Sequence, residues 1–109
     1  MFVVSREPHF THPVAVQVPV DGGHVEQTFK ATFRVIDNAK LDSFDLNTVE
    51  GSRDFLVAVI VKLDDLVDEQ EKPLPYSDAL RDQLIGNPYV SLALGRTYRE
   101  AIKKAARGN

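Results

Sequence analysis

From residue 14 onward, apolar and polar positions alternate. Val14, Val16, Val18 and Val20 fall on one side of an extended chain, with Ala15, Gln17 and Pro19 on the other. Asp21-Gly22-Gly23 is a turn signal. Alternation then resumes. Val25, Gln27, Phe29, Ala31, Phe33 and Val35 share one side, and His24, Glu26, Thr28, Lys30, Thr32 and Arg34 the other. This predicts an antiparallel hairpin over 13–36 with one apolar and one wet face. Pro19 offers no amide donor, which assigns the first strand to a sheet edge. Residues 1–12 show no clean period, and with Pro8 and Pro13 interrupting the segment they are expected to form an irregular arm. A lone hairpin is marginal in water, so something must cover Phe29 and Phe33.

After Ile36 the period becomes helical. Asp37 can cap a short helix reaching about Asn47, with Leu41 and Phe44 on its buried side. Gly51 breaks that pattern. Ser52 then opens a run containing Phe55, Leu56, Val59, Ile60 and Leu63, which fit one helical face. The same run is β-branched and continuous, so it also suits a buried strand; the polar first turn Ser52-Arg53-Asp54 favours helix. Residues 68–75 form a polar connection closed by Pro73 and Pro75. Two helix starts follow in succession. Ser77 can cap a helix beginning at Asp78, Gly86 can end it in a left-handed conformation, and Asn87 with Pro88 can open a longer one. Val90, Leu94, Tyr98, Ala101 and Ile102 make the apolar stripe of this last helix, Ala105 extends it, and 106–109 should fray. The fold class is therefore α+β: an N-terminal antiparallel β-hairpin packed against three to four α-helices, in a single domain over 1–109 that is mainly helical from 37. The expected core joins Val14, Val16, Phe29, Phe33, Leu56, Ile60, Leu84, Leu94 and Tyr98.

Composition narrows the function classes. A chain of 109 residues can bury one modest core. The absence of cysteine excludes disulfides, thiolate metal sites and a cysteine nucleophile. The apolar start Met1 to Val4 is too short for a signal peptide, and the longest apolar run, Phe55 to Val61, is too short to span a bilayer. A cytoplasmic protein is expected. The net charge of −3 argues against a nucleic-acid binder. Charge is unevenly spread: 64–82 holds seven acidic residues against Lys72 and Arg81, whereas 96–107 holds five basic residues against Glu100. Such polarity suits self-association, and an edge strand at Val14–Val20 offers a second route to it.

Catalytic chemistry finds little support. His9 and His12 lack further ligands at a recognised metal spacing. The carboxylates Asp64, Asp65, Asp68, Glu69 and Glu71 lack the alternation, central glycine and closing glutamate of a helix–loop–helix calcium site. No serine stands in a nucleophile elbow, and Gly22-Gly23 is a turn rather than a phosphate cradle. No catalytic residue, metal or cofactor is assigned, and a non-enzymatic role is expected.

The order of the parts carries a resemblance. A hairpin with Val16-Gln17-Val18-Pro19-Val20-Asp21-Gly22 is followed by Thr28-Phe29-Lys30-Ala31-Thr32-Phe33. An apolar segment and an acidic turn then lead to Pro73-Leu74-Pro75-Tyr76-Ser77, and a helix carrying Ala93, Leu94, Tyr98 and Ala101 closes the chain. Over nearly its whole length the chain resembles the tail assembly chaperones of long-tailed (siphovirus-type) phages and prophages. It departs from their pattern at Leu63, where Trp is expected, and at Gln70 or Glu71, where Gly is expected.

The resemblance implies a non-enzymatic protein-binding module. It would keep the tape-measure protein soluble, help recruit tail-tube subunits, act in the bacterial host cytoplasm and be absent from the finished virion. Alternatives are a small structural tail or neck protein, and a nucleic-acid-binding regulator acting through the basic last helix. Leu80 and Leu84, four apart, share one helical face, while Tyr89 and Leu92 lie off the buried stripe; these four are the candidate wall of a partner-binding groove. Arg96, Arg99 and Lys103 are the candidate steering charges for an acidic partner helix.

Overall fold

A computed structural model describes residues 1–106. The alternating segments form strands β1 (His9–Val20) and β2 (Gly23–Arg34), paired antiparallel from His9↔Arg34 to Val20↔Gly23. Asp21 and Gly22 make the turn, with Gly22 at φ 77°, where a side chain would be strained. β1 starts four residues before the predicted hairpin, so the irregular arm shrinks to the residues before His9. Pro13 does not stop the ladder. It shares the parity of Ala15, whose carbonyl faces away from β2, so the missing amide of Pro13 or Pro19 would have pointed off the sheet.

The fold is α+β, with a three-stranded antiparallel sheet in the order β1-β2-β3 and four helices. Helix α1 (Asn38–Asp42) is capped by Asp37, whose side chain accepts from Lys40 N at 2.8 Å, but it ends well before Asn47. A turn over 43–48 follows. Helix α2 (Val49–Val59) is capped by Thr48 rather than Ser52: Thr48 Oγ1 accepts from Gly51 N at 2.9 Å. Gly51, expected to separate two helical segments, thus lies inside the first turn of the second. A Cβ there would collide with the Asp45 carbonyl, so glycine lets α2 sit directly on the preceding turn.

α2 passes without a loop into β3 (Ile60–Asp64), so the continuous helix expected through Leu63 is wrong at its second half. The error has a physical origin. Ile60 and Leu63 are three apart, which suits a helix and would put them on opposite faces of a regular strand. A bulge shifts the β2–β3 register between Thr32 and Phe33, and both residues are buried.

Helix α3 (Asp78–Ile85) is capped by Ser77, which accepts from Leu80 N at 3.1 Å. Helix α4 (Pro88–Ala106) opens at Asn87, which accepts from Tyr89 N at 3.2 Å. Gly86 between them has φ −69°, a right-handed conformation, not the left-handed one expected. From residue 107 on, the expected frayed end lies outside the described residues.

The inner face of the sheet, α2 and one stripe of α4 enclose the core. Tyr98 is its hub, with ring centroids 6.0 Å from Phe10, 5.6 Å from Phe33 and 5.4 Å from Phe55. Its hydroxyl accepts from Ile36 N at 3.3 Å. Of the expected core, Leu84 is only half-buried; Ile85 takes the inward position on α3. Arg34 closes the carboxyl end of α2 by donating to the Ala58 carbonyl at 3.2 Å. The radius of gyration is 14.8 Å, above the roughly 13 Å expected for a compact chain of this length. The excess is consistent with the hairpin, whose half nearer the turn projects past β3, and with the exposed segment before His9.

Candidate protein-binding groove

α4 presents one buried apolar face and one open, mixed face. Val90, Ala93, Leu94 and Tyr98 are buried against the sheet and α2. Pro88, Ser91, Leu92, Gly95 and Arg99 face the first turns of α2 across a hollow of about 580 Å³. Opposite them stand Leu46, Thr48, Val49, Ser52, Arg53, Phe55 and Leu56. Leu92 is 64% exposed and Val49 is 79% exposed, so the rim is apolar and open to water. Gly95 contributes no side chain, and its Cα surface forms part of the floor. The fit of Gly51 against Asp45 fixes the other wall, because the turn over 45–48 carries Leu46 and leads straight into Val49.

The seven residues assigned from sequence do not form one surface. Leu92 and Arg99 line this groove. Leu80 and Leu84 line a different hollow of about 480 Å³, walled by Leu66, Val67, Leu74 and the acidic turn. Tyr89 is exposed and lines neither. Arg96 is half-buried and donates to the Ala15 carbonyl at 3.0 Å, on the outer edge of β1. That bond occupies a backbone acceptor that an added strand would need, so β1 is a poorer docking edge than expected. Further unpaired edges lie on the outer side of β3 and on β2 before Lys30, where β3 does not reach. Lys103 lies in the last turn of α4, where a cation complements the helix dipole. Leu46, Val49, Phe55, Leu56 and Ile85 were missed as groove residues. The signal available was Val49, an apolar side chain at the first position of a helix capped by Thr48.

Four of the seven acidic side chains of the acidic stretch are in ion pairs. Asp65 meets Lys30 at 3.6 Å, Asp64 meets Lys62 at 3.4 Å, and Arg81 binds Asp78 and Asp82 at 3.4 and 3.0 Å. Burial works against the Arg81 charge, but the Asp82 hydrogen bond and nearby negative groups outweigh it and raise its pKa. Among the described residues, no ion pair links this stretch to the basic end of α4, and Arg53 and Arg99 at the groove rim have no acidic partner. Asp68 organises the acidic turn. Its Oδ1 accepts from Gln70 N at 2.8 Å and Lys72 N at 3.0 Å, which explains this carboxylate without a metal. Glu71 in the same turn has φ 62°, a left-handed conformation. His9 and His12, three apart on a strand, project to opposite faces. Among the described residues no group of three or more histidines and carboxylates is placed to hold a metal ion.

No helix among the described residues is long and apolar enough to cross a membrane. No family model, curated protein or solved structure matches this chain.

Proposed function

We propose that this chain is a tail assembly chaperone of a long-tailed phage or prophage. It would be a non-enzymatic module that holds an amphipathic helical segment of the tape-measure protein in the groove between α2 and α4. It acts in the host cytoplasm, hands the covered tape measure to tail-tube subunits and leaves before the virion is finished. The observation that carries the reading is the open apolar rim. Leu92 and Val49 face water across a hollow floored by Phe55, Leu56 and Gly95, a shape that accepts the apolar face of a helix. Arg53 and Arg99 at its rim favour a helix with acidic flanks.

Co-expression tests the proposal. The tape-measure partner should stay soluble with this chain, precipitate without it, and elute in a common complex on gel filtration. Leu92→Asp should abolish that complex while leaving the fold intact, since the side chain is mostly in water. A partner equally soluble with and without the chain would refute the function. A complex indifferent to Leu92→Asp would refute the groove as its site.

A further inference from the structure

We infer that the chain carries a second docking surface of opposite charge preference: the hollow between the 66–74 hairpin and α3 takes a basic amphipathic segment of another protein. The inference stands apart from the proposed function, because it uses neither the α2–α4 groove nor the family resemblance.

One wall of the hollow is a closed structure rather than a loose loop. Leu74 N donates to the Leu66 carbonyl at 2.8 Å, Asp68 N to the Lys72 carbonyl at 2.9 Å and Glu71 N to the Asp68 carbonyl at 2.9 Å. Val67 and Pro73 form an antiparallel bridge across the same hairpin. The Asp68 carboxylate holds two more amides, so little ordering is left for a partner to pay on docking. The other wall is α3, through Leu80 and Leu84. Val67 is 56% exposed and Leu74 37% exposed, so apolar side chains at this wall stand in water.

Charge selects the occupant. The hollow is lined by the carboxylates of Asp68 and Glu69 and by no cation. The α2–α4 groove is the reverse, with Arg53 and Arg99 and no carboxylate. α3 contributes to both, Leu80 and Leu84 to one and Ile85 to the other. The nearby cations leave the hollow's charge in place. Arg81 is committed to Asp78 and Asp82, and Lys72 makes no ion pair with Asp68 or Glu69. Nucleic acid and anionic lipid carry phosphates that these carboxylates repel. Apolar side chains spaced between lysines or arginines complement both the walls and the rim. A second copy complements them less well. Among the described residues, the basic end of α4 around Lys103 and Lys104 offers one exposed large apolar side chain, Ile102. A hollow of about 480 Å³ admits only a few side chains, so the contact is weak and sensitive to salt.

NMR titration of the isotope-labelled full chain tests this with two synthetic helical peptides, one of leucines and lysines and one with glutamates in place of the lysines. The lysine peptide should shift the amides of 66–74, Leu80 and Leu84 saturably, and the glutamate peptide should not. Raising salt from about 50 to about 500 mM should weaken the lysine peptide at least about fivefold. Glu69→Lys should weaken it at least about tenfold and Val67→Ser about threefold. Both side chains are exposed, and the same spectra report whether each variant is folded. Equal binding of the two peptides at this hollow, saturation of the lysine peptide elsewhere, or a folded Glu69→Lys variant that binds like wild type overturns the inference. Spermine, which carries charge without apolar side chains, should compete poorly; competition as strong as the peptide's would overturn a site that reads both. Sedimentation equilibrium of the protein alone decides between occupants. Association that Glu69→Lys abolishes would make a second copy the occupant and overturn the assignment to another protein.

Discussion

The two faces of α4 serve different ends. On one, Val90, Leu94 and Tyr98 lock into the sheet and α2, with three aromatic rings packed around Tyr98. On the other, Leu92 stands in water beside Gly95, which has no side chain, and Arg99, which has no acidic partner among the described residues. The first face is buried, with Val90, Leu94 and Tyr98 at most 6% exposed. The second is a wall with nothing against it. Apolar residues on a helix therefore do not all report on the core; what decides is whether another element of the chain arrives to cover them.

Substitution on the two sides should separate these roles. Phe33→Ala, which empties a fully buried position beneath Tyr98, should cost about 3–5 kcal/mol in urea unfolding. Leu92→Ser on the open face should change stability by less than about 0.5 kcal/mol. Comparable losses at both would mean that the open face is part of the core.

Gly51→Ala probes the wall opposite α4. The new methyl would meet the Asp45 backbone, so a loss of about 1–3 kcal/mol is expected, together with weaker partner binding as the turn carrying Leu46 shifts. A neutral result would show that the turn is free to move and does not shape the groove.

The two arginines one turn apart on α4 sharpen the contrast further. Arg96→Ala removes a charged hydrogen bond to the edge of β1 and should cost about 1.5 kcal/mol, with increased aggregation at the opened edge. Arg99→Ala should leave stability within about 0.5 kcal/mol and slow association with an acidic helix instead. The smallest effect is expected at Glu71. Replacing a left-handed non-glycine residue by Gly should raise stability, by up to about 1 kcal/mol in thermal or urea unfolding.

The sequence was most informative where one periodicity dominated. Strict alternation gave the hairpin and its inner residues Val14, Val16, Phe29 and Phe33, and paired capping signals gave the starts of α3 and α4. It misled where two periods overlapped. Phe55 to Leu63 reads as one helical face, yet the chain switches to strand at Ile60, and a bulge restores the burial of both Ile60 and Leu63. The groove was half legible for a similar reason. Leu92 and Arg99 could be placed off the core stripe of α4 by helical geometry. Their facing wall comes from the first turn of α2, whose start at Val49 was masked by Gly51. Spacing along α3 made Leu80 and Leu84 look like companions of Leu92, but local spacing carries no information about the angle between helices, and they line another hollow.

Mapping a bound partner residue by residue addresses the open face most directly. Isotope-labelled protein would be titrated with an amphipathic helical peptide from the tape-measure partner while its amide resonances are followed by NMR. The largest changes are expected at Leu46, Val49, Ser52, Leu92, Gly95 and Arg99, with the Val90–Leu94–Tyr98 face little perturbed. Saturable changes centred instead on Leu66, Leu74, Leu80 and Leu84, or no saturable changes at all, would contradict the assignment of the α2–α4 groove as the binding site.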